Sequence, residues 1–235
     1  MKKYLFLLPL LAFVAPAVAQ HTELSGQVQL GLMRFGGADA TGTTAVNYSC
    51  GRGYTNSPYG SQVGPGFSLG LQAQRVGQKN TLLAFAMAYD QMRSRISIGG
   101  LNLYDGTSNT LRPATGHTYL QTRAIAAALT LGHRFALGSG SLDVLAGPEL
   151  AFVFGLHETG SGTYDGNQSW TTDVDRSGQL IIDPRLRAGL TYWCHRVGIS
   201  SSYSHGFANY QAGLLGASPQ VASRTWRLGL AYRLR

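Results

Sequence analysis

Three histidines have neighbours with which acid–base chemistry is conceivable. His157 is followed directly by Glu158, His205 begins a polar segment, and His117 precedes a run of alternating apolar residues. A catalytic nucleophile and its base must lie within hydrogen-bond reach, with a third group to orient the base. Nothing in the spacing of these residues supplies such a set. We therefore predict polar histidines near strand ends, and no catalytic residues.

Charged side chains are a second group that could carry chemistry. The acidic candidates are Asp143, Glu149 and Asp183, and the basic ones are Arg134, Arg185, Arg187, Arg227 and Arg233. Each falls on the polar face of a segment whose other face is apolar. If strands enclose this polar face, the ions lose water and must pair. No Cys and His spacing has the pattern of a zinc site, so we predict neither a metal nor a cofactor.

The elements that position these residues are strands. Apolar residues alternate with small or polar ones in eight segments, the pattern of strands with one apolar face. The predicted strands run over about 24–34, 67–74, 83–90, 125–135, 142–157, 180–192, 197–204 and 226–235. In the last, Trp226 and Leu228 begin an apolar face. In the fifth, Leu156 is assigned to the apolar face and His157 to the polar one.

The connections between these segments alternate in length. Short turns are predicted at 77–80, 137–140 and 193–196, and long connections at about 36–65, 91–117, 158–178 and 205–222. Short turns at one end and long loops at the other are typical of outer-membrane barrels. We therefore predict an all-β fold: an eight-stranded antiparallel up-and-down transmembrane β-barrel, with short periplasmic turns and long extracellular loops.

Strand pairing in such a barrel predicts which lumen charges meet. A tight turn around Gly138 places Arg134 opposite Asp143. A symmetric return of the chain after the fifth strand places Glu149 opposite Arg187, and both registers keep the apolar side chains on one face. Asp183 and Arg185 are the remaining candidates. We predict that these ion pairs fill and close the lumen.

Composition and the N-terminus agree with an exported membrane protein. Only 13% of the residues are charged, whereas a soluble surface carries roughly 25–35%. Lys2 and Lys3 precede an apolar run and Ala17–Ala19, which predicts a signal peptide over residues 1–19 and a barrel domain over 20–235. The net charge is +8, but the basic residues are scattered and the chain is exported, so nucleic acid is not an expected partner.

The chain resembles a known family, the PorT-like outer-membrane β-barrel proteins of Gram-negative bacteria. The likeness rests on the Ala17–Gln20 junction, on Ala146–Leu150, on Tyr203–Asn209 and on the closing Leu228–Arg235. Arg235 departs from the aromatic last residue usual in barrels. The resemblance implies an eight-stranded barrel in the outer membrane and no common enzymatic activity.

Three alternatives to a non-catalytic outer-membrane barrel are open. An outer-membrane lipid A-modifying enzyme would need a rim active site, but the His-x-Ser-Asn pattern of lipid A deacylases is absent at His205. A soluble ligand-binding barrel would turn charges outward, and here the polar faces are Gly, Ala, Ser and Gln. A small transport barrel needs an open lumen, whereas eight strands leave an interior that side chains fill.

The expected function is that of a non-catalytic monomer in the cell outer membrane. It acts through its surface loops in adhesion, partner binding or envelope integrity. Its expected partners are outer-membrane lipid, the barrel assembly machinery during insertion, and an extracellular ligand bound through the loops.

Overall fold

The computed structural model describes residues 21–49, 51–104, 107–176, 181–211 and 220–234. The predicted signal peptide and Cys50 lie outside these residues. The described chain is all-β, which confirms the predicted class. Within the described ranges, no helix is long and apolar enough to cross a membrane.

The described residues form eleven strands, whereas the sequence predicts eight. They are β1 (His21–Gly36), β2 (Thr43–Ser49), β3 (Arg52–Thr55), β4 (Gln62–Val76), β5 (Thr81–Tyr104), β6 (Asn109–Leu137), β7 (Gly140–Tyr164), β8 (Gln168–Asp175), β9 (Ile181–Cys194), β10 (Val197–Gly206) and β11 (Ala222–Arg233). A 3₁₀ turn, Gln78–Asn80, follows β4. The additional strands lie in regions that the sequence predicts as loops.

Eight of the strands pair side by side in a closed antiparallel ring, which we call the barrel. Its order is β1, β4, β5, β6, β7, β9, β10, β11 and back to β1. Because every ring strand has a neighbour on both sides, the barrel leaves no open sheet edge. β1 begins and β11 ends at the same end of the ring.

Three tight turns close that same end of the barrel, at the positions predicted from the sequence. Lys79 and Asn80 join β4 to β5 with φ of 57° and 60°, and His195 joins β9 to β10 with φ of 57°. Gly138, with φ of 59°, joins β6 to β7. Residues with positive φ are common in tight hairpin turns, because their backbone twist matches the twist of the flanking strands.

The other three strands build a second ring, which we call the crown. β5, β6 and β7 continue beyond the barrel; β2 pairs in parallel with β5, and β8 pairs antiparallel with β7. β3 pairs with β2 and meets β8 at the single pair Gly53 and Thr172. Much of the predicted long loops is therefore ordered sheet. The physical reason is that these strands bury an apolar core of their own.

The barrel exposes apolar side chains on its outer face and buries polar side chains in its lumen. Val28 is 64% exposed on the outer face, whereas its neighbour Gln27 is 9% exposed and points into the lumen. The outer face carries Leu30, Leu69, Leu71, Phe85, Leu186, Leu228 and Leu230, all exposed. The lumen holds Ser25, Gln29, Gln72, Thr130 and Ser200, all buried. An apolar exterior and a polar interior are typical of barrels that stand in lipid.

Burial in the crown is the reverse. Val46, Ile98, Leu101, Ala114 and Trp170 form a buried apolar cluster between its strands. Trp170 is fully buried, and its indole nitrogen donates to the backbone oxygen of Thr115 over 3.1 Å. The crown is therefore packed like a protein that stands in water.

A β-bulge on β7 corrects the predicted face of two residues. Arg123 pairs with Gly155 and Ala124 with Val153, so one extra residue stands on β7 at this point. A bulge of one residue reverses the alternation that follows it. Leu156 is consequently buried, and His157 faces outward, opposite to the assignment from strict alternation.

Candidate functional site

The outer face changes character over a narrow band between barrel and crown. The last apolar and first polar outward residues are Leu32 and Arg34 on β1, Tyr89 and Gln91 on β5, Ile125 and Arg123 on β6, Tyr203 and His205 on β10, and Trp226 and Arg224 on β11. The first polar residues of neighbouring strands lie side by side, because Gln91 pairs with Arg123 and Arg34 pairs with Arg224. This band, which we call the boundary row, marks where the apolar surface ends.

Aromatic side chains lie just below the boundary row. Phe67 and Phe154 flank Tyr89, with ring centroids 6.2 and 6.4 Å away, and Tyr203 packs on Trp226 at 6.0 Å. Phe135 and Tyr232 are exposed at the opposite, short-turn end of the barrel. Aromatic rings at both edges of an apolar band are expected where a protein meets lipid headgroups.

The lumen contains a cluster of ions at the short-turn end. Arg134 lies opposite Asp143 in the β6–β7 pairing and donates to it over 2.6 and 2.8 Å. The same guanidinium donates to both oxygens of Glu23, over 2.8 and 2.7 Å. The Trp193 indole and the Gln74 amide complete the shell of Asp143. Sequence reasoning missed Glu23, which precedes the first predicted strand.

A second cluster lies deeper in the lumen around Glu149, whose side chain is fully buried. Arg227 approaches it at 3.2 Å, and Arg185 and Arg187 each at 3.4 Å. Arg227 also binds both oxygens of Asp90. Three guanidiniums and two carboxylates therefore share one dehydrated site, where charges hold together only as a group.

The pairing of Glu149 corrects a predicted register. Glu149 lies opposite Arg185, two residues from the predicted Arg187, which is opposite Gly147. The prediction assumed a direct return of the chain from β7 to β9. In the structure β8 intervenes and pairs with the distal part of β7, so β9 begins its pairing at Val153. The shift of two keeps the same face, and Glu149 still contacts Arg187 diagonally.

Asp183 anchors the last connection inside the barrel. It accepts from Arg185 over 2.8 Å, from the Tyr210 hydroxyl over 2.9 Å and from Ser223 over 2.6 Å. Tyr210 packs edge-on against Phe35, 5.0 Å between centroids, and burial raises its pKa well above the usual range. The described residues 207–211 of this connection therefore fold back into the lumen above the central ions.

Little free space remains in the lumen. The void between the two ion clusters, lined by Gln27, Gln72, Thr130 and Ser200 among others, has a volume of about 20 Å³. Such a space holds about one water molecule. Above the central ions, an apolar layer of Met33, Phe35, Met92, Leu120 and Tyr210 fills the section.

The histidines singled out in the sequence do not assemble into a site. His157 faces outward and contacts Asp175 and Asp173 at 2.8 and 3.1 Å, while Glu158 is buried on the opposite face. Adjacent residues on a strand point to opposite faces, so the two cannot cooperate. The His117 ring meets Arg95 at 2.8 Å, and the His205 ring meets the Tyr203 hydroxyl at 3.3 Å.

Glu158 instead links three strands within the crown. It binds Arg176 on one oxygen and accepts from the backbone nitrogen of Thr55, 3.1 Å away, on the other. Arg176 in turn donates to the Thr55 carbonyl and stacks over the Tyr54 ring, 5.6 Å from its centroid. Sequence reasoning placed Glu158 in a loop and missed this role.

The outer surface of the crown carries a polar groove, which we call the Asn–Tyr groove. It is lined by Asn47, Tyr48, Ser49, Tyr54, Asn56, Asn102, Tyr104 and Asn109, and its volume is about 350 Å³. Asn102 donates to Asn47 over 3.0 Å, and Asn47 donates to Asn56. Among the described residues, no group of three or more His, Cys, Asp or Glu side chains is placed to hold a metal ion.

Comparison with known proteins gives structural likenesses only. No family model and no curated protein matches the chain. Among solved structures, the Ail attachment invasion locus protein of Yersinia pestis is 15% identical with a TM-score of 0.40, covering 91% of this chain and 99% of that one. The Neisserial surface protein A is 12% identical with a TM-score of 0.42, covering 92% and 100%. The autotransporter NalP translocator domain of Neisseria meningitidis is 10% identical with a TM-score of 0.31, covering 92% and 90%.

Proposed function

We propose that this chain is an integral outer-membrane barrel with a closed lumen, and that its crown is a binding platform outside the cell. The observation that carries the proposal is the reversal of burial at the boundary row. Below it an apolar exterior is stable only in lipid, and above it an apolar core and a polar exterior are stable only in water. The predicted signal peptide over residues 1–19 supplies the route of export.

The apolar band has the height that a bilayer requires. On β6 it runs from Phe135 to Ile125, eleven residues of strand. A transmembrane β-strand needs about 9–11 residues when it is tilted. The folded protein is expected to shift in mobility when heated in detergent, and to resist extraction from membranes by urea. Recovery of the protein from the periplasm without detergent would contradict the proposal.

The closed lumen argues against transport. Passage of a solute would require breaking the central ions and displacing the loop that Asp183 anchors. The purified barrel in a planar bilayer is therefore expected to give no steady conductance. A stable open channel would overturn the closed-lumen part of the proposal.

The Asn–Tyr groove is the surface that we propose for ligand binding. Tyr offers a rigid amphipathic contact and Asn offers adaptable hydrogen bonds, the combination that recognition surfaces favour. The matching ligand is a neutral polar chain, such as a polysaccharide or the glycan of a surface protein. This role is adhesion or partner binding, without catalysis.

Whole-cell adhesion tests this role. Cells that display the parent protein are expected to bind immobilised glycoprotein or polysaccharide, and Asn47→Ala with Asn102→Ala is expected to abolish the binding. Thr115→Ala with Thr163→Ala is the matched control, because this exposed pair lies on the crown outside the groove. Equal adhesion by all three proteins, at equal surface display, would contradict a ligand role for the groove.

A further inference from the structure

Two arginines face each other across the barrel surface at the boundary row. Arg34 on β1 and Arg224 on β11 are direct Cα partners in an antiparallel pair, and both side chains are on the outer face. Like charges directly opposite each other destabilise a sheet. The next strand adds His205, which pairs with Arg224. The row therefore concentrates positive charge at one place.

These two arginines differ from those in the lumen. Each of Arg134, Arg185, Arg187 and Arg227 has a carboxylate within 3.5 Å. Arg34 and Arg224 form no ion pair with any carboxylate among the described residues. The Nε of Arg224 is buried against the backbone at Gly36 and has no hydrogen-bond partner there. Arg34 and Arg224 therefore lack the neighbouring carboxylate that balances each of these four lumen arginines.

An apolar groove begins directly below the pair. Leu32, Val63, Tyr203 and Trp226 line it together with Arg34 and Arg224, and its volume is about 250 Å³. Trp226 is 54% exposed and lies opposite Leu32, so the groove is continuous with the lipid-facing surface. We call this feature the Arg34–Arg224 groove.

We propose that the Arg34–Arg224 groove binds a phosphate-bearing lipid of the surrounding leaflet, and this rests on the membrane insertion proposed above. The two guanidiniums match a phosphate, because arginine recognises phosphate oxygens in bidentate geometry. The ring of Trp226 and the side chain of Leu32 receive the first part of an acyl chain. Free phosphate shares the headgroup chemistry but has nothing to place in the apolar part.

Quenching of tryptophan fluorescence by brominated lipids tests the proposal. The protein is inserted into phosphatidylcholine bilayers that contain a small fraction of dibrominated phosphatidic acid or, in parallel, dibrominated phosphatidylcholine. The signal of Trp226 is the difference between the parent protein and Trp226→Phe. We expect half-maximal quenching by the brominated phosphatidic acid at a fraction about tenfold lower than that of brominated phosphatidylcholine.

Two double variants distinguish specific binding at the Arg34–Arg224 groove from a general effect of positive charge. Arg34→Gln with Arg224→Gln is expected to remove the preference for phosphatidic acid while leaving heat-modifiability unchanged. Arg52→Gln with Arg112→Gln removes the same charge from exposed positions on the crown, and is expected to keep the preference. Loss of the preference in both variants, or its retention in both, would overturn the site.

The remaining outcomes are also decisive. Equal quenching of Trp226 by the two brominated lipids in the parent protein would overturn the inference but leave membrane insertion intact. No quenching by either lipid would contradict insertion itself. Reversal of the phosphatidic acid preference by millimolar inorganic phosphate alone would show a free-phosphate site and overturn the lipid assignment.

Discussion

The barrel and the crown share three strands, β5, β6 and β7, yet bury opposite kinds of side chain. On β5 the inward residues Ala86 and Asp90 lie in the barrel, and Ile96 and Ile98 lie in the crown. The strand continues without interruption while the polarity of its two faces exchanges. Backbone pairing therefore does not decide which face is apolar. On the membrane insertion proposed above, the medium outside each ring decides it, since lipid contacts the exposed face of the barrel and water that of the crown.

The two regions are also held together by different forces. The crown packs an apolar cluster around Trp170, as a soluble sheet does. In the lipid surroundings that we propose, the barrel gains nothing from hiding apolar groups, and its lumen is held by paired ions and amide hydrogen bonds. Removing a charge should therefore damage the barrel, and creating a cavity should damage the crown.

The largest expected effect is that of Glu149→Ala on the barrel. It leaves Arg187 without a carboxylate and three arginines with only Asp90 and Asp183 in a dry lumen, and removing one member of a buried ion cluster costs roughly 3–5 kcal/mol. Urea unfolding in detergent micelles, followed by the loss of heat-modifiability, measures the change. Adding Arg187→Ala is expected to recover part of the loss.

The control for this prediction is Asp175→Ala, since that carboxylate is 82% exposed on the crown. It should change the stability of the barrel by less than about 0.5 kcal/mol. Strict additivity of the Glu149 and Arg187 substitutions would show that the central ions do not act as a group.

The second prediction concerns Trp170→Ala in the crown. Truncating a fully buried tryptophan costs about 3–5 kcal/mol, but here the loss should stay local. We expect rapid proteolysis of the crown with a barrel that still resists heat and denaturant. Leu111→Ala, at a crown position that is 67% exposed, is the control and should leave proteolysis unchanged. Simultaneous unfolding of barrel and crown would contradict their independence.

The third prediction applies one substitution to both regions. Leu69→Arg places a charge on the lipid-facing surface and should cost about 2–4 kcal/mol near the bilayer midplane. Leu111→Arg makes the same change on the exposed crown and should cost less than about 0.5 kcal/mol. Reversible unfolding in lipid vesicles compares the two. Equal costs would mean that both regions face the same medium.

The alternation of apolar residues was sufficient to predict the barrel strands, because an apolar outer face over a polar lumen imposes a strict period of two. It also gave the contact between Arg134 and Asp143, because a tight turn fixes the register of a hairpin. The strand β8 was missed although Trp170 and Thr172 alternate there, since its polar neighbours match a loop composition.

The other features of the site depend on how segments distant in the sequence pack together. The extra residue at the β7 bulge has no signature in the sequence, and it decides that Glu158 is buried while His157 is not. The insertion of β8 between β7 and the start of β9 decides that Arg185, not Arg187, lies opposite Glu149. Both are settled by packing between distant segments, which local patterns do not contain.

The smallest expected effect is a test of sidedness that leaves stability unchanged. Cys194 is a free, exposed thiol at the end of β9, next to the tight turn at the short-turn end of the barrel. Asn167 lies in the tight turn between β7 and β8 on the crown. In a background that carries Cys50→Ser, we expect a membrane-impermeant maleimide on intact cells to label Asn167→Cys but not Cys194. Permeabilising the outer membrane should expose Cys194. Labelling of Cys194 on intact cells would place the short turns outside, and the crown would then face the periplasm.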